Sequence, residues 1–316
     1  PPGPPPNSPL TAPALHTTPH SIPPPPRPPR TRPPTRARRG RGGAGGMEAE
    51  PKPSGPGLAI RKWGPMLWRV QESASEPQGW ALFDLDQTLL PWDTQLLFCN
   101  WVLHKEPLRR LYLLLFVPFM PLTPLLGSER MKRLFLSFLW RMRRERIEEL
   151  VREFVAHYVP GEFYEEILAE VEKERQRGRR LVLLSASPEF YAAPIGAALG
   201  FHHAFGTRVD FEEVMPLYPK FPSGNNKRGV KVERLREEFG IEAAEPLPDS
   251  AGYSDSIVDQ PMLCLCKEVT TIHAESELQV LVEENGWRSL RPPRPFGNKR
   301  AFAWRCLKQM LGADPI

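Results

Sequence analysis

Two carboxylates one residue apart, Asp84 and Asp86, stand in the run FDLDQTLL at residues 83–90. A serine, Ser185, closes the apolar run LVLLSASP at 181–188. A lysine, Lys231, sits in GVKVERL at 229–235, and two more carboxylates, Asp255 and Asp259, in GYSDSIVDQPML at 252–263. Each has an ordinary explanation by itself. A lone DxD is a turn or a helix cap, a serine simply ends a strand, a lysine is a solvated helix residue, and loop acids need no role. All four segments in this order hold what phosphoryl transfer through an aspartate requires.

A carboxylate can attack phosphorus as a covalent nucleophile. A second can protonate the leaving oxygen and later activate water. A dianionic phosphate is repelled by clustered carboxylates, so a hard divalent cation is needed. Mg²⁺ takes few protein carboxylates together with phosphate oxygens and waters, a role that suits Asp84 and Asp255. Lys231 would screen charge on nucleophile and phosphate, and Ser185 would hydrogen-bond a phosphoryl oxygen.

The elements that must deliver these groups are short. Residues 80–85 form an apolar run with an acid next to its end, as expected of a buried parallel strand that delivers Asp84 to its carboxyl edge. The pattern predicts strands at 81–85, 180–185, 251–254 and 262–266, and helices at 147–158, 162–177 and 232–239. Alternation of this kind gives an α/β fold, a doubly wound and mostly parallel sheet, with a helical cap inserted after the first catalytic strand. No internal repeat is present.

DxDxT, an apolar strand ending in serine, the lysine of GVKVERL and YSDSxxD resemble the haloacid dehalogenase superfamily, in its phosphoserine-phosphatase-like branch. The resemblance covers roughly residues 80–287. It implies Asp84 as nucleophile and metal ligand, and Asp86 as general acid and base whose main-chain carbonyl also binds Mg²⁺. It further implies Thr88, Ser185 and Lys231 as phosphate-binding groups, Asp255 as a metal ligand and Asp259 as support for the metal site or the lysine. Two positions depart from the pattern: Gln87 stands where glycine is common, and Lys227 where cysteine is frequent. Lys227 leaves the lysine assignment slightly open; the Lys-Val-x-x-Leu context favours Lys231.

The net charge of +5 is misleading. Residues 1–46 hold seven arginines and no acid or lysine, and the remainder carries 35 basic against 37 acidic residues. That tail is rich in Pro, Gly and Arg and is expected to be disordered. It reads as an inert tail, a polyproline ligand, an arginine-rich nucleic-acid contact through RARRGRGG, or sequence upstream of the natural start, since Met47 opens an ordinary-looking stretch. The last reading is favoured. No apolar stretch follows the basic residues, so a signal peptide is not expected. Residues 47–79 form a lead-in to a phosphatase domain at 80–290, with the cap insertion at 91–178 and a basic amphipathic tail at 291–316. Cys99, Cys264, Cys266 and Cys306 have no disulfide or zinc spacing, and Cys264 and Cys266 fall on the strand expected at 262–266. A reducing compartment follows, and no nucleic-acid partner is expected of the catalytic domain.

The insertion carries the substrate information. Residues 111–126 read LYLLLFVPFMPLTPLL, without a charge, shorter than the ~20 residues needed to span a bilayer and interrupted by Pro118, Pro121 and Pro124. Arg109 and Arg110 precede the run, and Arg130, Lys132 and Arg133 follow it. Both ends would then stay on one face of a membrane. Met131, Leu134, Phe135, Phe138, Leu139 and Met142 recur at helical spacing, with basic residues on other faces, which suits an anionic membrane surface. Residues 298–311 repeat this composition. The plain alternative is a helix pair buried in the cap, with ordinary solvated arginines.

With these features the resemblance narrows to bacterial phosphatidylglycerophosphatase C, in character and position of the insertion rather than in an exact motif. It implies removal of the terminal phosphate of phosphatidylglycerol phosphate at the cytoplasmic face of the inner membrane, with Mg²⁺ as cofactor and an anionic phospholipid as partner. Two other readings remain: a soluble phosphomonoesterase of phosphoserine-phosphatase type, and a non-enzymatic protein binding through basic tails.

Overall fold

The apolar run after Gln78 forms β1 (Gly79–Phe83), a central strand of a six-stranded parallel sheet. A computed structural model describes residues 77–159, 161–241 and 246–316. The tail at 1–46 and nearly all of the lead-in lie outside the described residues. The other strands are β2 (Arg179–Pro188), β3 (His203–Thr207), β4 (Ser250–Ser254), β5 (Glu268–Ile272) and β6 (Arg288–Leu290), in the order β3-β2-β1-β4-β5-β6. The expected doubly wound α/β sheet is thus present. From β1 the chain steps outward to β2 and β3, then returns to lay β4 on the other side of β1. That reversal leaves a crevice beyond the carboxyl ends of β1 and β4.

A strand covered on both faces reads as a continuous apolar run. Accordingly Ala81, Phe83, Leu181, Leu183, Ala251 and Tyr253 face one core, and Leu82, Val182 and Leu184 face the other. Phe83 stacks on Tyr253 at 4.2 Å between ring centres, which fixes the register immediately before Asp84. On the second face lie α7 (Gly229–Phe239), α8 (Gln260–Leu263) and α9 (Ser276–Asn285), through Val232, Leu235, Met262, Leu263, Leu278 and Val282.

The strand expected at 262–266 does not form. Pro261 sits in the first turn of α8, where its missing N–H costs nothing, and Met262, Leu263, Leu265 and Cys266 reach the second core from a helical turn. The strand follows as β5, where Thr270 and Thr271 favour extended backbone. Cys264 is exposed and Cys266 buried; all four cysteines are free thiols.

The insertion is helical: α1 (Thr94–Lys105), α2 (Leu113–Phe116), α3 (Thr123–Phe135) and α4 (Arg144–Tyr158), joined partly by 3₁₀ turns. The next helix, α5 (Glu165–Gln176), flanks β2 and belongs to the sheet layer, so the cap itself is shorter than 91–178. Between β2 and β3 lies α6 (Glu189–Ala198), which packs on both strands and on α4.

The stretch Pro107–Leu139 is helical in character over 33 residues and apolar enough to cross a membrane by length and composition, yet 11% of its most apolar window is buried. Its ends meet. Tyr112 packs on Phe135 at 6.0 Å and Phe116 on Phe135 at 5.1 Å, so the chain between them leaves the cap and comes back. The return bends at Gly127, where φ is 76°. This is a hairpin rather than a span. Leu114 is 73% and Leu125 82% exposed, with Val117, Phe119, Met120 and Leu122 also exposed. The segment is therefore not the buried helix pair of the plain alternative.

The stripe that follows is corrected. Met131, Phe135, Phe138, Leu139 and Met142 are buried in the first core, with Leu134 packed against it. Periodicity marks an apolar face without saying what covers it, and here protein covers it. Several flanking cations are also committed to the fold: Arg109 binds Glu106, Arg110 the carbonyl of Gly312, and Arg133 the carbonyl of Pro219. Arg130 stays exposed.

The C-terminal helix, α10 (Lys299–Leu311), packs against α1. Phe302 stacks on Trp92, Arg305 lies over the same indole at 3.8 Å, and buried Asp314 pairs with Arg305 and Lys308. Phe302 thus faces protein, while Trp304, Leu307 and Leu311 remain exposed.

Candidate active site

Because β1 ends at Phe83 and β4 at Ser254, the acids that follow them meet at the crevice. The Asp84 amide donates to the carbonyl of Tyr253 at 3.0 Å, tying the two strand ends together. Lys231 enters from the first turn of α7, and its ammonium donates to Asp84 Oδ1 at 2.6 Å and to Asp259 Oδ2 at 2.8 Å. Asp259 is steadied by the Ser254 hydroxyl at 2.8 Å. The chain turns into α7 through Arg228, held at φ 54°.

Lys231 is 1% exposed in its side chain. Burial opposes its charge, but Asp84 and Asp259 outweigh burial and raise its pKa, so the ammonium stays charged. Asp84 is pushed above the ordinary carboxylate range, first by burial and further by Asp259, Asp255 and Asp86, with Lys231 pulling the other way. Asp255 is raised as well, by burial and then by Asp259. Three carboxylates share one lysine, a crowding that a divalent cation would relieve.

No group of three His, Cys, Asp or Glu side chains placed to hold a metal occurs among the described residues. The expected set needs only two side chains, Asp84 and Asp255, with the main-chain carbonyl of Asp86. Two carboxylates, one carbonyl, water and phosphate oxygens suit Mg²⁺, which keeps much of its hydration shell. Thr88 bridges the two ligands: its hydroxyl lies 3.4 Å from Asp84 Oδ2 and 3.2 Å from Asp255 Oδ1, and accepts from the Asp255 amide at 3.0 Å. Thr88 is fully buried, and its hydroxyl is engaged by the two carboxylates.

Asp86 faces the other way, towards the cap. Its Oδ1 accepts from the amide and hydroxyl of Thr94 at 2.7 and 2.6 Å, and its Oδ2 from the Ser187 hydroxyl at 2.7 Å. Ser185 is fully buried near the carboxyl end of β2, and its hydroxyl accepts from the Ser187 amide at 2.9 Å. Asn226 fixes the same turn by donating to the Ser185 carbonyl at 2.9 Å. All six expected residues and Thr88 therefore lie in or around one crevice. Two carboxylates with different neighbours can take different roles, one as nucleophile and the other in proton transfer.

Sequence reasoning missed the groups that border this set. Asp93 caps α1, accepting from the Gln95 and Leu96 amides, and burial followed by Asp86 raises its pKa. Thr94 and Ser187 hold Asp86. Lys132 reaches the crevice from α3 and donates to the carbonyl of Ala186 at 2.6 Å and to Asn225 Oδ1 at 3.1 Å. The NN pair at 225–226 was the available signal, because adjacent asparagines before a helix often brace loops.

Comparison with known proteins agrees with this geometry. The family model for haloacid dehalogenase-like hydrolases matches residues 81–263, more than half of the chain. A histidinol-phosphatase of Neisseria meningitidis is 23% identical over 222 residues, covering 66% of this chain and 96% of that protein. Protein CicA of Caulobacter vibrioides is 30% identical over 125 residues, 39% of this chain and 53% of that protein. A probable phosphatase of Mycobacterium tuberculosis is 28% identical over 224 residues, covering 68% of this chain and 76% of that protein. Among solved structures, a Bordetella pertussis protein of unknown function superposes with a TM-score of 0.56 at 22% identity, covering 67% of this chain and 97% of that one, a likeness of fold. The matched span begins in β1 and ends in α8, so it takes in each of the four segments that supply the crevice, and the chain belongs to the haloacid dehalogenase-like hydrolase family.

Proposed function

We propose that this chain is a Mg²⁺-dependent phosphoric monoester hydrolase that works through a phospho-aspartate on a phospholipid head group, converting phosphatidylglycerol phosphate to phosphatidylglycerol. The observation that carries the chemistry is the Asp84 carboxylate held against Lys231 and beside Asp255, with Asp86 turned to the opposite side. Asp84 attacks phosphorus, and the bond from phosphorus to the leaving oxygen breaks. Asp86 gives that oxygen a proton. It later takes one from the water that attacks the phospho-aspartate, which releases phosphate and restores Asp84. Lys231 balances the charge of the nucleophile. Asp84, Asp255 and the Asp86 carbonyl would hold Mg²⁺, which when bound neutralises the dianionic phosphate.

The lipid part of the reading is supported by the exposed hairpin between Phe116 and Phe135. Exposed apolar surface this extended marks an interaction site, and lipid is the partner for a proline-broken loop that carries no charge up to residue 126 and leaves and re-enters one face of the cap. The working location would be the cytoplasmic face of a bacterial inner membrane. A soluble phosphomonoesterase is the second reading, favoured by the similarity to a histidinol-phosphatase over nearly the whole of that protein.

Phosphate release from a panel of phosphomonoesters, with Mg²⁺ and with EDTA, tests both. The expected result is Mg²⁺-dependent turnover, faster on phosphatidylglycerol phosphate in vesicles than on phosphoserine or histidinol phosphate. Faster turnover of a soluble ester, with vesicle substrate ignored, would favour the second reading. No turnover of any ester would remove the phosphatase assignment.

The division of roles has its own test. Asp86→Asn keeps the shape but neither donates nor accepts the proton. Turnover is expected to fall roughly 10²- to 10⁴-fold. Breakdown of the phospho-aspartate should suffer more than its formation, so with a good leaving group the covalent form should accumulate and be seen as added mass of one phosphoryl group. If Asp86→Asn clears the intermediate as fast as the parent protein, Asp86 is not the base.

A further inference from the structure

One face of α10 is left open among the described residues. Arg300, Trp304, Leu307 and Leu311 follow one another at intervals of four, three and four, so they fall on a single helical stripe. All four are exposed, Trp304 to 62%. The other side of the helix packs on α1, and on Trp92 through Phe302 and Arg305. The open stripe runs into the base of the hairpin. The Arg110 guanidinium donates to the Gly312 carbonyl, and the Tyr112 hydroxyl to the Met310 carbonyl, both at 2.6 Å. Leu111 and Leu311 each stand between these two ties, and both remain exposed. The apolar surface of the hairpin therefore continues along α10. At the opposite end of the helix, Lys299 and Phe302 line a cavity of about 480 Å³ that also touches Gln87 and Asp255. One end of α10 thus borders the hairpin and the other borders the catalytic residues.

Charge indicates what covers this surface. The helix contains four cations and no acid, and residues 107–128 hold no acid either. Asp314, the first acid after the helix, is buried and taken by Arg305 and Lys308. A two-fold contact between copies would set this patch on itself, cation against cation, with no acid to pair. An anionic bilayer suits both parts of the stripe. Tryptophan and leucine enter the interfacial layer, and arginine finds head-group phosphates.

We infer that α10 lies on the same anionic lipid surface as the hairpin, through Arg300, Trp304, Leu307 and Leu311, as a second contact that fixes how the protein sits. The inference rests on the lipid reading and adds to it. The hairpin enters the bilayer, and α10 lies along the surface with its catalytic end held at the interface.

The test uses the full purified chain and vesicles of phosphatidylglycerol and phosphatidylcholine, plain or with brominated acyl chains that quench tryptophan in contact with lipid. Trp304→Phe keeps an apolar ring at that position. The intensity lost to bromine should be smaller in Trp304→Phe than in the parent; an equal loss overturns the inference. Leu307→Asp with Leu311→Asp should weaken vesicle binding about 10-fold or more. Its melting temperature should stay close to the parent's. So should its turnover of glycerophosphoglycerol phosphate, the acyl-free form of the lipid substrate, because neither leucine lines the crevice. The quenching comparison places no charge in the helix, so it tests the contact even where the leucine variant fails to fold. Parent-level binding by the leucine variant, with Leu114→Asp and Leu125→Asp together releasing the chain from vesicles, overturns the inference and leaves the lipid reading standing. A parent chain that ignores vesicles removes both. A parent dimer in buffer that the leucine variant abolishes, with vesicle binding kept, gives the stripe to a second copy and overturns the inference as well.

Discussion

Asp84→Asn is expected to abolish turnover, with a fall of about 10⁴-fold or more, because it removes the attacking charge and one cation ligand together. Simple unfolding is not the expected cause. Asparagine is isosteric, and Lys231 keeps Asp259 at 2.8 Å, so the buried ammonium remains paired. The change also removes one of three crowded carboxylates, which offsets the lost contact at 2.6 Å. The melting temperature without metal should therefore stay close to that of the parent. With Mg²⁺ added, the parent should gain stability through binding and the variant should gain less. Near-normal turnover by pure Asp84→Asn protein would refute the nucleophile. A large drop in melting temperature would mean that the loss of activity reports folding.

The residues of this centre were readable in advance because chemistry restricts their types and the fold restricts their places. Asp84 and Asp255 lie just past a strand's carboxyl end and Ser185 three residues before one, and each position is visible as an apolar run meeting a polar group. Lys231 was readable from its helix start. The border groups were not. Lys132 looks like any basic residue of an amphipathic helix until the cap is folded over β2, and only then does its ammonium meet Ala186 and Asn225. The apolar stripe at 131–142 shows the same gap. Its spacing is that of a helix face, but spacing cannot distinguish a core from a lipid surface. The strand expected at 262–266 failed for a related reason, since a short apolar run fits a buried strand and a buried helical turn equally. Pro261 tipped it to the helix.

The hairpin can be separated from the core by the choice of positions. Phe116 lies inside the charge-free segment but is only 7% exposed, packed on Tyr112 and Phe135, so a charge there would damage the cap whatever the hairpin touches. Leu114 and Leu125 are the informative pair, at 73% and 82% exposed. In water their replacement is nearly neutral for folding, within about 0.5 kcal/mol each. In lipid each aspartate costs up to about 3 kcal/mol, less near the interface, so the double variant should bind vesicles at least ~100-fold more weakly. The parent chain is expected to pellet with anionic vesicles. Leu114→Asp with Leu125→Asp should stay in the supernatant with an unchanged melting temperature. Activity on phosphatidylglycerol phosphate in vesicles should fall with binding, while activity on glycerophosphoglycerol phosphate should hold, because neither leucine is in the crevice. A parent protein that ignores vesicles and remains soluble without detergent would end the lipid reading. A double variant that loses both activities and its melting transition would mean that the hairpin supports the cap.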